Sequence, residues 1–390
     1  MRKDSFILKK GKEKSLLQRH PWIFSGAIEF SPENYVNGSI YKIYSYDDVL
    51  LGYGYANSET SISIRMLCFS NADPFDAIAH NIKNAIAFRK ALFDENITNA
   101  YRLINSEGDL LPGLIVDYYN GHLVIQVQTL GMEKLKSFII DTLLSELPKT
   151  KSIYEKSLSA SRTEEGLTPF EDHLFGENTG DITVIENGIK FYVNYATGQK
   201  TGFFLDQREM RAFVGSVSTN KKVLNCFSYT GGFSIYALKN DAKLVDSVEI
   251  SKTANDCAKN NLKLNNLDDQ RFFTEDVFSF LQREDLNYDL IILDPPAFAK
   301  KRKDVQNASG AYKKLHSLVF QKAKPKTVLV TSSCSYYFDF ELFKKTIFFA
   351  AYEAKRDIKI IGFHRLASDH PINIYHPQMD YLKSLVLYIE

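Results

Sequence analysis

Cysteine is scarce: the 390 residues hold four, Cys68, Cys226, Cys257 and Cys334, with no CxxC pair and no Cys/His cluster at zinc spacing. That excludes a disulfide scaffold, and no metal is expected. No apolar run reaches the ~18 residues that a membrane span needs. The opening Met-Arg-Lys-Asp lacks the apolar stretch of a secretory signal, so a cytoplasmic protein with reduced thiols is expected. Internal repeats and low-complexity linkers are also missing. The net charge is only +1, so bulk charge does not announce a nucleic-acid binder.

What is present is a globular balance, 44% hydrophobic and 24% charged, over a length that suits two or three domains. Charge is concentrated locally. Residues 1–20 carry seven basic residues, among them Lys9, Lys10, Lys12, Lys14 and Arg19, against two acids. Residues 300–314 carry six, including Lys300, Lys301, Arg302 and Lys303, against one. One such run is usually a solvated face. Two in one chain favour a polyanion partner.

Residues 5–70 read as short strands (Ser5–Lys9, Ser39–Tyr44, Leu51–Ala56, Ser61–Leu67), a small β-rich module. After Asp73-Pro74, apolar residues at helical spacing predict a helix over Pro74–Asp94. Asn120-Gly121 predicts a hairpin between Leu114–Tyr119 and Leu123–Gln128, and Asn187-Gly188 another between Ile182–Ile185 and Phe191–Tyr195. Glu164–Gly180 reads as loop. From Lys222 strands alternate with helices, with strands at Val223–Cys226, Leu244–Glu249, Phe272–Thr274, Leu290–Leu293, Thr327–Thr331, Ile358–Phe363 and Tyr381–Tyr388. The expected fold is therefore α/β: a doubly wound sheet over 187–390, preceded by the β-rich module at 1–72 and a mixed α+β region at 73–186. Such a sheet binds its ligand beyond the carboxyl ends of its strands.

The first of these strands runs into Asn225-Cys226-Phe227-Ser228-Tyr229-Thr230-Gly231-Gly232-Phe233. The glycines allow a sharp strand-to-helix turn and close approach of a ligand. A glycine pair alone is weak, and it is not the GxGxxG dinucleotide fingerprint, which disfavours a dehydrogenase. Acids follow at three successive strand ends. Glu249 suits ribose hydroxyls, Asp276 an adenine amino group with Val277 flanking the ring, and Asp294 opens Asp294-Pro295-Pro296-Ala297-Phe298. Three acids behind one glycine turn point to a nucleoside-binding rim.

These motifs resemble, in order, those of class I S-adenosylmethionine (SAM) dependent methyltransferases. The wider chain resembles the bacterial 23S ribosomal RNA cytosine-5 methyltransferases that carry an N-terminal PUA domain. The resemblance rests on His20–Ile28, Gly108–Asp117, Gly198–Arg208 and Asp294–Lys300, and it spans essentially the whole chain. It implies SAM as cofactor and ribosomal RNA as partner, with a homodimer kept open. It implies a PUA-like module at 1–72 whose Lys9–Lys14 and Arg19 touch phosphate, and it puts Lys200, Thr201, Phe203 and Gln207 over the SAM pocket.

Cys334 follows the strand Thr327–Thr331, in Ser333-Cys334-Ser335. Position alone leaves it open between a small buried hydrophobe and a nucleophile. Carbon 5 of cytosine is not nucleophilic until a thiolate adds to carbon 6, and the resemblance implies that Cys334 supplies that thiolate, with Asp294 as proton donor. A nearby cation should lower the thiol pKa, and Lys300 or a neighbour in its basic run is a candidate. Tyr336, Tyr337, Phe338 and Phe298 are candidates for stacking on the base. The chain departs from many RNA cytosine-5 enzymes in one respect: Ala297, rather than a second cysteine, follows the prolines. The base that takes the carbon-5 proton is thus unassigned. Two alternatives stand beside this reading, a nitrogen methyltransferase acting on guanine or adenine and a non-catalytic RNA-binding assembly factor.

Overall fold

The computed structural model describes residues 4–268, 270–299 and 301–390. It contains two compact units. One holds the chain up to Ile185 together with Val193–Leu205 and Ser368–Met379. The other holds Glu186–Tyr192, Asp206–Ala367 and Asp380–Glu390.

The first unit contains two sheets. The N-terminal sheet has six strands in the order Trp22–Phe24, Ile62–Cys68, Leu50–Ala56, Ile40–Tyr44, Ser5–Leu8 and Ile28–Phe30. Two of them, Trp22–Phe24 and Ile28–Phe30, are too short to show alternation in the sequence. The second sheet has the order Phe170–Gly176, Ser152–Ser157, His122–Val127, Leu114–Tyr119 and Ala100–Asn105. The loop expected over Glu164–Gly180 is corrected here. Phe170–Gly176 is an edge strand whose part-exposed residues carry no period-2 signal, and its antiparallel pairing with Ser152–Ser157 makes it a strand. The helix Pro74–Leu92 starts where expected, because Asp73 accepts the amides of Phe75 (2.8 Å) and Asp76 (3.3 Å) and Pro74 takes the first helical position. The hairpin turns form as read: Asn120, Gly121, Asn187 and Gly188 all have positive φ, as a two-residue turn with right-handed strand twist requires.

The second unit is built on one seven-stranded sheet. Its strands in chain order are β1 (Lys222–Cys226), β2 (Leu244–Val248), β3 (Gln270–Phe273), β4 (Leu290–Leu293), β5 (Thr327–Ser333), β6 (Ile358–His364) and β7 (Lys383–Ile389). Their spatial order is β3-β2-β1-β4-β5-β7-β6. The first five pair in parallel, and β7 runs antiparallel to both β5 and β6. The helices are α1 (Arg208–Ser216), α2 (Gly232–Lys239), α3 (Lys252–Leu264), α4 (Val277–Arg283), α5 (Val305–Lys322) and α6 (Phe340–Ala354). Strand β4, Leu-Ile-Ile-Leu, is buried along its whole length, as expected for a parallel strand covered on both faces. Chain order reverses between β1 and β4, so the loops leaving these two strands open onto a crevice at the switch point. Helix α1 is fixed by a buried ion pair: Arg211 Nε and Nη2 donate to Glu186 at 2.7 and 2.6 Å.

Candidate active site

The loop after β1 carries the strongest local conformational signal. Phe227 (φ 60°), Tyr229 (φ 46°) and Gly231 (φ 81°) lie in the left-handed region, two of them with side chains that disfavour it. Such strain persists only where the surroundings hold it. Here the Tyr229 amide donates to Glu249 Oε2 (3.0 Å), the Ser228 amide to Val248 O (3.2 Å), and Asn261 Nδ2 to Thr230 O (3.0 Å). Gly231 ends the loop and begins α2; a Cβ there would lie 3.1 Å from Ala258 Cβ. Gly232 has a packing reason instead, since a Cβ would meet Arg211 Cδ at 3.0 Å.

Among the polar side-chain atoms of this unit that are buried without a hydrogen bond are Asn225 Oδ1 and Ser228 Oγ, at the end of β1 and in its loop, and Gln207 Oε1, whose side chain reaches Asp294. Each orphan costs about 1–3 kcal/mol unless a ligand satisfies it. The other ends of two of these side chains are fixed. Asn225 Nδ2 donates to Ser234 Oγ (2.9 Å), and Gln207 Nε2 donates to Asp294 Oδ1 (3.0 Å). Gln207 lies in the second unit. Lys200, Thr201 and Phe203 belong to the first, where Lys200 Nζ sits 4.5 Å from the Phe204 ring centre, Thr201 donates to Asp117 Oδ2 (2.6 Å) and Phe203 is buried.

The acids lie just past their strands. Glu249 follows β2 directly, and its carboxylate also accepts the Ser251 amide (2.8 Å). Asp276 is exposed and caps α4, accepting the Ser279 amide (2.9 Å). Val277 is buried in the hydrophobic core behind it. Asp294 is half-buried and immediately follows β4.

Strand β5 continues two residues beyond the expected Thr331, to Ser333, because β7 pairs with it as far as Ser333↔Lys383. Cys334 is the next residue and is half-buried. The register Leu293↔Thr331 sets β4 and β5 side by side, and the Ala299 amide donates to Ser335 Oγ (3.3 Å). The Asp294 loop and the Cys334 turn are thus tied to each other. Tyr312 on α5 donates to Ser333 Oγ (2.9 Å) at the foot of the same turn. Burial pushes the Tyr312 hydroxyl pKa up, so it stays neutral.

The other cysteines lie elsewhere. Cys226 is fully buried in β1, which pushes its thiol pKa far up and leaves it inert. Cys257 is in α3, and Cys68 ends a strand of the first unit. Of the stacking candidates, Tyr336 and Tyr337 are exposed. Phe338 is corrected: it is fully buried, 4.8 Å from Tyr312. Phe298 also packs on Tyr312 at 4.8 Å.

Lys9, Lys10, Lys12, Lys14 and Arg19 are exposed in the first unit, and Lys301, Arg302 and Lys303 are exposed before α5 in the second. Lys300 lies outside the described residues. Sequence reasoning missed Lys383. It is a buried lysine at the head of β7, and its Nζ donates to Ser335 O (2.6 Å) and Phe338 O (2.7 Å). Only the Ser333↔Lys383 register brings it there, and no local motif marks it.

A parallel sheet with one antiparallel strand, a strained glycine loop after β1 and acids at the next strand ends define a SAM-dependent methyltransferase. Residues 169–329 match the S-adenosylmethionine-dependent methyltransferase family, and residues 6–69 match a PUA-like domain. The chain belongs to the ribosomal RNA large subunit methyltransferase I family. It is 41% identical over 388 residues to that protein of Aeromonas salmonicida, covering 97% of this chain and 98% of that one. It is 40% identical over 389 residues to the Tolumonas auensis protein, with the same coverage. A methyltransferase solved with SAH shares 25% identity and superposes with a TM-score of 0.84 over 99% of this chain and all of that one. Among the described residues no helix is long and apolar enough to cross a membrane.

Proposed function

We propose that the chain methylates carbon 5 of a cytosine in 23S ribosomal RNA, with Cys334 as the nucleophile. The observation that carries this reading is the joining of the Asp294 loop to the Cys334 turn through adjacent parallel strands and the Ala299–Ser335 bond. The names of the relatives at about 40% identity, which are ribosomal RNA large subunit methyltransferases, support the substrate class.

The orphaned Asn225 Oδ1, Ser228 Oγ and Gln207 Oε1 fit a polar nucleoside cofactor. Asn225, Phe227–Gly232, Glu249, Asp276, Val277, Asp294 and Gln207 would hold it. When bound, SAM supplies an electrophilic methyl group. The target base leaves its stack to reach the rim. The Cys334 thiolate forms a bond from Sγ to carbon 6, and the ring's electron pair moves onto the pyrimidine. Asp294, oriented by Gln207, gives a proton to the ring nitrogen so that this charge does not accumulate. Carbon 5 then has enamine character and takes the methyl group. Loss of the carbon-5 proton re-forms the carbon 5–carbon 6 double bond and expels the Cys334 thiolate, while the ring nitrogen returns its proton to Asp294. No side chain is assigned to the transfer of the carbon-5 proton, because Ala297 stands where a second cysteine would be.

The PUA-like region 1–72 and the basic residues Lys9, Lys10, Lys12, Lys14, Arg19 and Lys300–Lys303 are proposed as phosphate contacts. A central region at 73–186 and a catalytic region at 187–390 are proposed along the chain, while by packing Val193–Leu205 and Ser368–Met379 group with the first unit. The deciding experiment is Cys334→Ala assayed on ribosomal RNA from a strain lacking the enzyme. The expected result is loss of transfer by about 1,000-fold or more, with SAM affinity retained. Full activity would end the cysteine mechanism and favour methylation of a nitrogen.

A further inference from the structure

The chemistry above uses no lysine at the head of β7, yet Lys383 is only 2% exposed there. Its ammonium donates to the carbonyls of Ser335 and Phe338, both in the turn that begins at Cys334. Tethering two carbonyls requires only a neutral donor. A buried ammonium is costly unless a negative group repays its desolvation. The charged or titratable groups that face Lys383 are Cys334, Asp380, Asp339 and Arg365. Arg365 pairs with Asp380 at 2.6 Å, and Asp339 caps α6 by accepting the Leu342 amide at 2.8 Å. These pairs engage Asp380 through Oδ2 and Asp339 through Oδ1. Cys334 is the acid of the turn that the Lys383 ammonium tethers, and it sits one residue past Ser333, the residue opposite Lys383 in the register.

We propose that Lys383 is a positioning residue that keeps Cys334 as a thiolate, its ammonium tethered beneath the turn by the Ser335 and Phe338 carbonyls. The inference rests on the reading of Cys334 as nucleophile. In this step the thiol proton leaves to water, Lys383 keeps its own proton, and no bond to Lys383 forms or breaks. Burial lowers the Lys383 pKa to about 8, while the charge of Cys334 acts in the opposite direction. At neutral pH the residue therefore remains mostly cationic. Tyr312, which donates to Ser333 Oγ, is held neutral and cannot take this role.

The test is the pH profile of Cys334 alkylation by iodoacetamide, followed by mass spectrometry of the peptide that contains it. In the intact protein the apparent pKa should lie at least one unit below the ~8.5 of a free thiol. In Lys383→Met it should rise by about one unit or more, roughly a tenfold loss of thiolate at neutral pH, with SAM binding retained. Lys383→Arg, which keeps the charge, should restore most of the shift. An ordinary thiol pKa in the intact protein would overturn the proposal even if Lys383→Met fails to fold. So would a folded Lys383→Met with an unchanged profile, since a purely structural tether would leave the titration alone. Retained methyl transfer in Cys334→Ala would instead defeat the nucleophile reading and leave the thiol titration to be judged by itself.

Discussion

Gly231 and Cys334 show how much a single position can carry. Gly231 has φ 81°, and a Cβ there would crowd Ala258 at 3.1 Å. Gly231→Ala should therefore destabilise the protein by about 1–2 kcal/mol and weaken SAM binding, because the strained loop cannot keep its form. Denaturant unfolding and calorimetry measure the two effects separately. Gly232→Ala strains a packing contact with Arg211 rather than the cofactor loop, so its cost should fall mainly on stability. Asp294→Asn keeps the bond from Gln207 Nε2 within reach but removes the proton donor. It should lower kcat more than it changes SAM affinity, which single-turnover assays at fixed RNA would read.

At the scale of elements, two buried polar arrangements hold helices of the second unit in place. Arg211 of α1 pairs with Glu186, both nearly inaccessible. Removing one partner strands the other charge, so Arg211→Ala should cost about 3–5 kcal/mol in denaturant unfolding. His316 on α5 joins that helix to β5. A carbonyl can only accept, so Nδ1 donates to Tyr312 O (2.6 Å) and Nε2 accepts from Thr331 (2.9 Å), which describes a neutral ring. Burial lowers its pKa from 6.5 to about 4. Between these values the unfolded chain binds a proton that the folded chain refuses. The stability associated with a neutral His316 is thus complete above pH 6.5 and is lost as pH falls toward 4, by about 3 kcal/mol at the acid end. Urea unfolding at a series of pH values should show this slope, and His316→Leu should lack that part of it.

For the whole molecule, the orphaned polar atoms of the second unit imply that the cofactor contributes to stability. SAH at 100 times its Kd should add about 2.7 kcal/mol, seen as a concentration-dependent rise in Tm. The exposed basic residues of the two runs imply a salt-dependent RNA affinity. Replacing Lys9, Lys10 and Lys12 with Gln should reduce the slope of log K against log salt by about two to three, with SAM binding unchanged. An unchanged slope would remove the first run from the RNA contacts.

Local sequence signals determined much of this protein: the alternation of strands and helices after Lys222, both Asn-Gly turns, the glycine loop after β1 and the acids at successive strand ends. Each is written within a few residues, because turn chemistry, capping and hydrophobic period act over that range. The edge strand Phe170–Gly176 was not legible, since its half-exposed residues have no period and only pairing makes it a strand. Nor was the extension of β5 to Ser333, which depends on β7. Lys383 reaches the Cys334 turn from 49 residues downstream, and only the antiparallel register of β5 and β7 brings it there. A buried charge and its partner need proximity in space, and no local pattern in the sequence encodes that.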